Sequence, residues 1–170
     1  MSARSLIEAY IRTGTIDLTE SWMQVKSLLP GITSPLFHAT SPGKAISIVL
    51  NGEGLKVGSG YSNFGGGGNH NGVSMSRDLS SLLRGTFGNV VLVYDGTELR
   101  RRYKVVPYQD RSVADEFEER VLAPSIPFSL IRGVVFASRA PLRFVLEEWT
   151  EAVDFPVIYK GKAGWVATQR

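Results

Sequence analysis

The feature that most constrains the fold is an apolar run at residues 89–94, with the sequence Asn-Val-Val-Leu-Val-Tyr. A strand covered on one face alternates between apolar and polar side chains. A strand that is apolar at nearly every position is covered on both faces. The sequence therefore predicts a strand at residues 89–94 that is buried on both faces.

Short strands and helices alternate along the rest of the chain. Ser41 and Asp78 are suitable helix N-caps, and Asp95-Gly96 predicts a turn after the apolar run. Further strands are predicted at residues 36–39, 73–76, 103–106, 118–122, 133–137 and 156–160, and helices at 42–50, 79–83 and 141–153. Residues 1–33 predict two short helices packed on a single domain at residues 34–170, with a glycine-rich tail at its end. Short strands with mixed connections predict an α+β protein.

Composition excludes several classes of protein. The chain has 170 residues, of which 43% are hydrophobic, with no cysteine and two histidines. Disulfide scaffolds, cysteine nucleophiles, thiolate metal sites and multi-histidine metal sites are therefore excluded. No apolar run approaches the roughly 18 residues of a membrane span, and the amino terminus lacks a signal-peptide layout. These features predict a cytoplasmic protein that does not insert into a membrane.

A basic cluster is the densest group of charges of one sign. It consists of Arg100, Arg101, Arg102 and Lys104, in a chain of net charge +3. The cluster has two interpretations, a solvated helix end next to a strand edge or a phosphate-binding patch. The sequence pI near 9.3 is a weak indication of an anionic partner.

Three stretches before the apolar run carry residues suited to chemistry. His38 lies in the strand at residues 36–39, where a hydrogen-bonded structural histidine is the alternative. Residues 58–72 contain too much glycine for a regular element, which is typical of a lid, a binding loop or a disordered segment. Ser74 and Ser76 share one strand face just before Arg77. A hydroxyl pair followed by arginine suits an anion such as pyrophosphate, and a plain strand exit capped by Asp78 is the alternative.

An acidic run at residues 115–119 places four carboxylates in five positions before an apolar strand. Such runs are usually solvated faces. The mutual repulsion of four carboxylates also indicates that at least one has a chemical role. A nuclease or phosphoesterase that binds a divalent metal through Asp115, Glu116, Glu118 and Glu119 is one interpretation.

The order of these features resembles the NAD-dependent ADP-ribosyltransferases, the family of PARPs, ADP-ribosylating toxins and DarT-type DNA modifiers. The similarity covers roughly residues 35–137. It consists of the His38-Ala39-Thr40 strand with its helix and Gly-Glu-Gly-Leu end, the Ser74-Met75-Ser76-Arg77 strand, and the glutamates before Val121-Leu122. The resemblance implies two small packed, mainly antiparallel sheets with flanking helices.

The resemblance implies NAD-binding roles for the first strand. His38 would hydrogen-bond a ribose hydroxyl, and the backbone at Ala39 would bind the nicotinamide amide. Thr40 would support the strand or touch the adenosine side. Ala39 stands where the PARP-like subgroup has glycine.

Later positions receive their roles in the same way. Ser74 and Ser76 would line the nicotinamide pocket, and Arg77 would face the pyrophosphate. Tyr61 and Phe64 are candidates for stacking on nicotinamide. Glu119 ranks first as the catalytic residue, Glu118 second and Glu116 third. In a strand, Glu116 and Glu118 share one face and Glu119 points to the other, so only one of these faces can meet NAD.

The implied activity is mono-ADP-ribosyl transfer from NAD to a protein or nucleic-acid acceptor, with release of nicotinamide and no metal. Such single domains are typical of bacterial toxins, effectors or phage proteins. The alternative is an inactive domain of the same fold that binds a protein or a nucleic acid.

Overall fold

The computed structural model describes residues 23–57, 72–83, 88–107, 118–137 and 143–168. Its strands are β1 (Pro35–Thr40), β2 (Leu55–Lys56), β3 (Val73–Ser76), β4 (Val90–Asp95), β5 (Val105–Pro107), β6 (Glu118–Val121), β7 (Ser125–Ile126), β8 (Ile131–Phe136), β9 (Val157–Gly161) and β10 (Gly164–Thr168). After a helical segment at residues 23–27, its helices are α1 (Pro42–Val49), α2 (Leu79–Leu82), α3 (Gly96–Arg102) and α4 (Arg143–Ala152), with a 3-10 turn at Phe128–Leu130. Eight strands form one sheet in the order β10-β9-β8-β4-β1-β3-β6-β5, and β2 pairs with β7 in a small second sheet.

Strand β4 lies in the interior of the large sheet. It pairs antiparallel with β1 on one side and with β8 on the other. All side chains of residues 90–94 are fully buried. Val91 and Val93 join one apolar cluster, and Val90, Leu92 and Tyr94 join another on the opposite face. The predicted burial of this strand on both faces is confirmed.

The described strands are mainly antiparallel, and β8 and β9 form a parallel pair. The few helices flank the sheet. The α+β class predicted from the sequence is therefore confirmed.

The prediction of two small packed sheets is wrong in its connectivity, because eight strands belong to one hydrogen-bonded sheet. That sheet is nevertheless weakly joined at one place. Six residues of β1 register with β4, whereas on its other side β1 registers with β3 through a single pair, Phe37 and Ser76. Beyond this pair β1 and β3 no longer register. The candidate site lies at this point.

Polar caps begin the helices that border this region. Ser41 Oγ accepts from the backbone N–H of Lys44, with Pro42 in the first turn of α1. Asp78 accepts from the N–H of Ser80 at the start of α2, and Asp95 accepts from that of Thr97 at the start of α3. Each cap satisfies a backbone donor that the helix cannot satisfy internally.

Some of the predicted turns and loops are wrong, because they contain helices or strands. The turn expected at Asp95-Gly96 is the start of α3, because Asp95 acts as an N-cap. The expected glycine-rich tail contains β10, which pairs with β9 after a two-residue turn. The short β2 and β7 pair was also not predicted.

Residues 23–33 pack on the sheet through Val25 and Leu29, which are buried against Phe37 and its neighbours. The predicted helix that ends in this stretch is present at residues 23–27. The first predicted helix lies outside the described residues. Within the described part of the chain, no helix has the length and apolar character needed to cross a membrane.

Candidate functional site

Three strands that are far apart in the chain lie side by side at the candidate site. Strand β3 is the middle one, with β1 on one side and β6 on the other. Strand β1 carries His38, β3 carries Ser74, and β6 carries Glu118 and Glu119. The fold thus brings together the histidine, serine and glutamate motifs identified in the sequence.

The side chain of His38 extends from β1 to the backbone of β3, next to the single registered pair of these strands. Its Nδ1 is 2.8 Å from the carbonyl oxygen of Ser74. Because a carbonyl oxygen only accepts, Nδ1 carries the hydrogen, and in the neutral ring Nε2 is an acceptor. Burial lowers the pKa of His38, the hydrogen bond to Ser74 opposes this shift, and the charge of Lys44 lowers the pKa further. The imidazole is therefore neutral at pH 7, with Nε2 able to accept from a hydroxyl.

Glu118 faces Ser74 across the β3–β6 pair. The antiparallel register sets Ser74 opposite Arg120 and Ser76 opposite Glu118. The Ser74 hydroxyl donates to Glu118 Oε1, and the Arg120 guanidinium lies 2.8 Å from the same oxygen. Both of these contacts fall on Oε1. Either carboxylate oxygen of Glu118 has the chemistry to accept a hydrogen bond from a ligand hydroxyl.

Glu119 has a different environment on the opposite face of β6. Its residue is only 6% exposed. Arg100 donates to both carboxylate oxygens, at 3.0 and 2.8 Å, and Arg77 Nε lies 3.1 Å from Oε1. Arg100 also donates to the hydroxyl of Ser34 before β1. Glu119 therefore links β6, the end of β3, helix α3 and the segment before β1.

The remaining predicted NAD-binding residues have mainly local contacts. Ser76 is buried, and its hydroxyl bonds the backbone of Asp78 in the turn into α2. Thr40 is buried opposite Val90, and Ala39 is opposite Val91. The β3-facing edge of residues 38–40 has no registered partner strand among the described residues.

Three predicted site residues, Tyr61, Phe64 and Glu116, lie outside the described residues, as does Asp115 of the metal interpretation. Among the residues that are described, no three histidine, aspartate or glutamate side chains are grouped to hold a metal ion. Glu118 and Glu119 are each bound by arginine.

Arg100 is a site residue that the sequence reasoning placed only in a basic cluster. Its role depends on α3, because the helix carries the side chain back to β6. Asp95 is the sequence feature that could have predicted this helix, because it is an N-cap residue in front of a segment with Leu99 buried. The helix would in turn have predicted the position of Arg100.

No protein-family model, curated protein or solved structure matches the chain. The candidate site is therefore defined by its geometry alone. That geometry is a neutral histidine, a serine and a glutamate joined by hydrogen bonds, next to a second glutamate neutralised by two arginines.

Proposed function

We propose that this protein is a mono-ADP-ribosyltransferase of the ADP-ribosyltransferase-like fold. It transfers ADP-ribose from NAD to a macromolecular acceptor and releases nicotinamide, without a metal ion. As part of the same proposal, the reaction takes place in the cytoplasm of a bacterial or host cell.

The observation that carries this proposal is the hydrogen-bonded connection from His38 through Ser74 to Glu118. The resemblance depends on the histidine, serine and glutamate motifs, which are separated along the chain and would have to form one site. Ser74 contacts the other two, since its carbonyl binds His38 and its hydroxyl binds Glu118.

The geometry favours Glu118 over Glu119 as the catalytic carboxylate. Glu119 was ranked first from the sequence, but both of its oxygens are occupied by arginine donors. The contacts of Glu118 to Ser74 and Arg120 fall on Oε1, and Ser74 binds His38 through its backbone carbonyl. We therefore assign Glu118 the catalytic role and Glu119 a positioning role.

The proposed chemistry uses these groups as follows. The bond between C1′ of the ribose and the nicotinamide nitrogen breaks, and its electron pair leaves with neutral nicotinamide. Positive charge grows on the ribose ring, and the Glu118 carboxylate stabilises it while accepting from the 2′-hydroxyl. His38 Nε2 accepts from a ribose hydroxyl of NAD. The acceptor nucleophile then bonds to C1′, and its proton passes to a carboxylate or to solvent.

A charge-removing variant tests this assignment. Glu118→Gln keeps the shape of the side chain and removes its charge, so we expect nicotinamide release to fall by about 100–1,000-fold. NAD affinity should change little, because the amide still accepts a hydrogen bond. Nicotinamide is measured by chromatography and NAD affinity by calorimetry. Glu147→Gln on α4 is the matched control, since Glu147 is 57% exposed and pairs only with surface Arg143 among the described residues.

Several outcomes would contradict the assignment. Full turnover in Glu118→Gln, with loss of turnover in a folded Glu119→Gln, would transfer the catalytic role to Glu119. Loss of activity in EDTA would favour the metal-dependent alternative. If the wild-type protein releases no nicotinamide and labels nothing in a lysate with labelled NAD, the protein is a binding module.

A further inference from the structure

The surface formed by Arg100, Arg101, Arg102 and Lys104 is hereafter called the basic surface. Apart from Arg100, which binds Glu119, its residues have no role in the chemistry above. It covers the end of α3 and the residue before β5. Arg101 and Arg102 have side chains that are 70% and 45% exposed, and Lys104 is also exposed. These cations are therefore accessible to a large partner.

The basic surface is held beside the candidate site. Arg100 binds Glu119, which adjoins Glu118 in β6. At the other end, the carbonyl of Lys104 accepts from the backbone N–H of Leu122 at 2.9 Å. Strand β5 also pairs with β6 from Val105 onward. A ligand on the basic surface would thus lie along the strand that carries the proposed catalytic residue.

The charge of the basic surface is only partly neutralised. Glu119 offsets Arg100, and Glu98 accepts from both Arg101 and Arg102. The hydrogen bonds from Arg101 and Arg102 lower the pKa of Glu98 to about 2, so its carboxylate stays ionised at neutral pH. Four cations against two carboxylates leave a surplus of positive charge within residues 100–104.

An exposed apolar side chain adjoins these cations. Leu122 is 39% exposed, and its backbone is bonded to Lys104. A nucleic acid combines a regular series of phosphates with apolar base faces, whereas an acidic protein surface offers only scattered carboxylates. Adjacent arginines also match phosphate oxygens with paired N–H donors.

We propose that the basic surface binds the phosphate backbone of a single-stranded nucleic acid, with a base against Leu122, and that this nucleic acid is the acceptor. The last part of the proposal, the acceptor role, depends on the proposed function. The binding does not depend on it.

The test is fluorescence anisotropy of the full chain, without NAD, on labelled single-stranded DNA and RNA of about 20 nucleotides. Three to four phosphate contacts predict that log K falls with log salt with a slope of about −2 to −3. Each contact contributes about fivefold to affinity at 0.1 M salt on the same relation.

Three variants locate the binding. Arg101→Gln with Arg102→Gln should weaken it by about 25-fold at 0.1 M salt, with a shallower salt slope. Glu98→Gln should strengthen binding, because it removes the charge that offsets these two arginines. Arg143→Gln is the matched control. Arg143 is 91% exposed and forms a similar ion pair, but it lies on α4, which packs on β9 near the other end of the sheet.

Absence of salt-dependent binding, or wild-type affinity in the double variant, would overturn the proposal. So would equal competition by polyglutamate, which would indicate an acidic protein partner. These outcomes are separable from failure of the proposed function, because NAD turnover is measured independently. Binding by a protein that releases no nicotinamide would keep the nucleic-acid site and overturn only its role as acceptor site.

Discussion

At the scale of single residues, the adjacent glutamates 118 and 119 show how one step along a strand changes a carboxylate's role. Alternation turns Glu118 toward Ser74 and Glu119 toward Arg77 and Arg100. The opposite faces followed from the sequence. The partners did not, because Arg100 and Arg77 are distant in the chain and reach Glu119 only after α3 and β3 are placed.

Glu119 should contribute more to stability than an ordinary surface glutamate. Its loss leaves two guanidinium groups without their shared acceptor, although both arginines are partly exposed and can recruit water. We expect Glu119→Ala to lower the free energy of unfolding by about 1–3 kcal/mol in urea denaturation. Glu147→Ala, which removes a surface pair, should cost less than about 0.5 kcal/mol. Equal losses in the two variants would show that the two arginines do not depend on Glu119.

At the scale of elements, strands with strong apolar patterns and helices with clear N-caps were predictable. Strands β1, β3 and β4 and helices α1 and α2 are present close to their predicted positions. Helix α3 was missed because Leu99 is its one buried apolar side chain, so it has no apolar periodicity to detect. Strand β10 was missed because it lies at the edge of the sheet and its residues are at least partly exposed. Its sequence therefore does not alternate between apolar and polar residues.

Two residues before β4 lies a glycine whose replacement should be costly. Gly88 has φ +135°, and a Cβ there would overlap the carbonyl oxygen of Thr40 at the end of β1. We expect Gly88→Ala to destabilise the protein by about 2 kcal/mol or more, measured by thermal or urea unfolding.

Gly43→Ala is the matched control for this change. Gly43 lies in α1 with open space around its Cβ position, so alanine there should stabilise the helix by up to about 1 kcal/mol. Effects of the same sign in both variants would contradict the close approach of Gly88 to β1.

At the scale of the whole molecule, the sheet has two parts that meet at the candidate site. Local patterns predicted most strands but not their order, since pairing depends on contacts between distant residues. The single registered pair between Phe37 and Ser76 is one such contact. The histidine and serine motifs were visible in the sequence, but the single registered pair between their strands was not.

This weak junction predicts unequal stability across the sheet. Strand β4 is paired along its length with β1 and β8 and is buried on both faces, so its amides should exchange only through global unfolding. Strands β3, β5 and β6 can separate from β1 by breaking one registered pair, the hydrogen bond from His38 to Ser74 and the contacts of Arg100 to Glu119. The packing of Val73, Met75 and Val121 would also be lost. We expect their amides to exchange with a free energy lower than that of β4 by about 1 kcal/mol or more.

Native-state hydrogen exchange followed by mass spectrometry measures this difference, with β8 as the internal reference that should match β4. If β3 and β6 exchange with the same free energy as β4 and β8, the sheet unfolds as one unit. In that case β1 and β3 stay together beside His38 in every partly unfolded state. A lower value for β3 and β6 would mean that the strands carrying Ser74 and Glu118 can move relative to His38, so that ligand binding would be coupled to closure of the sheet.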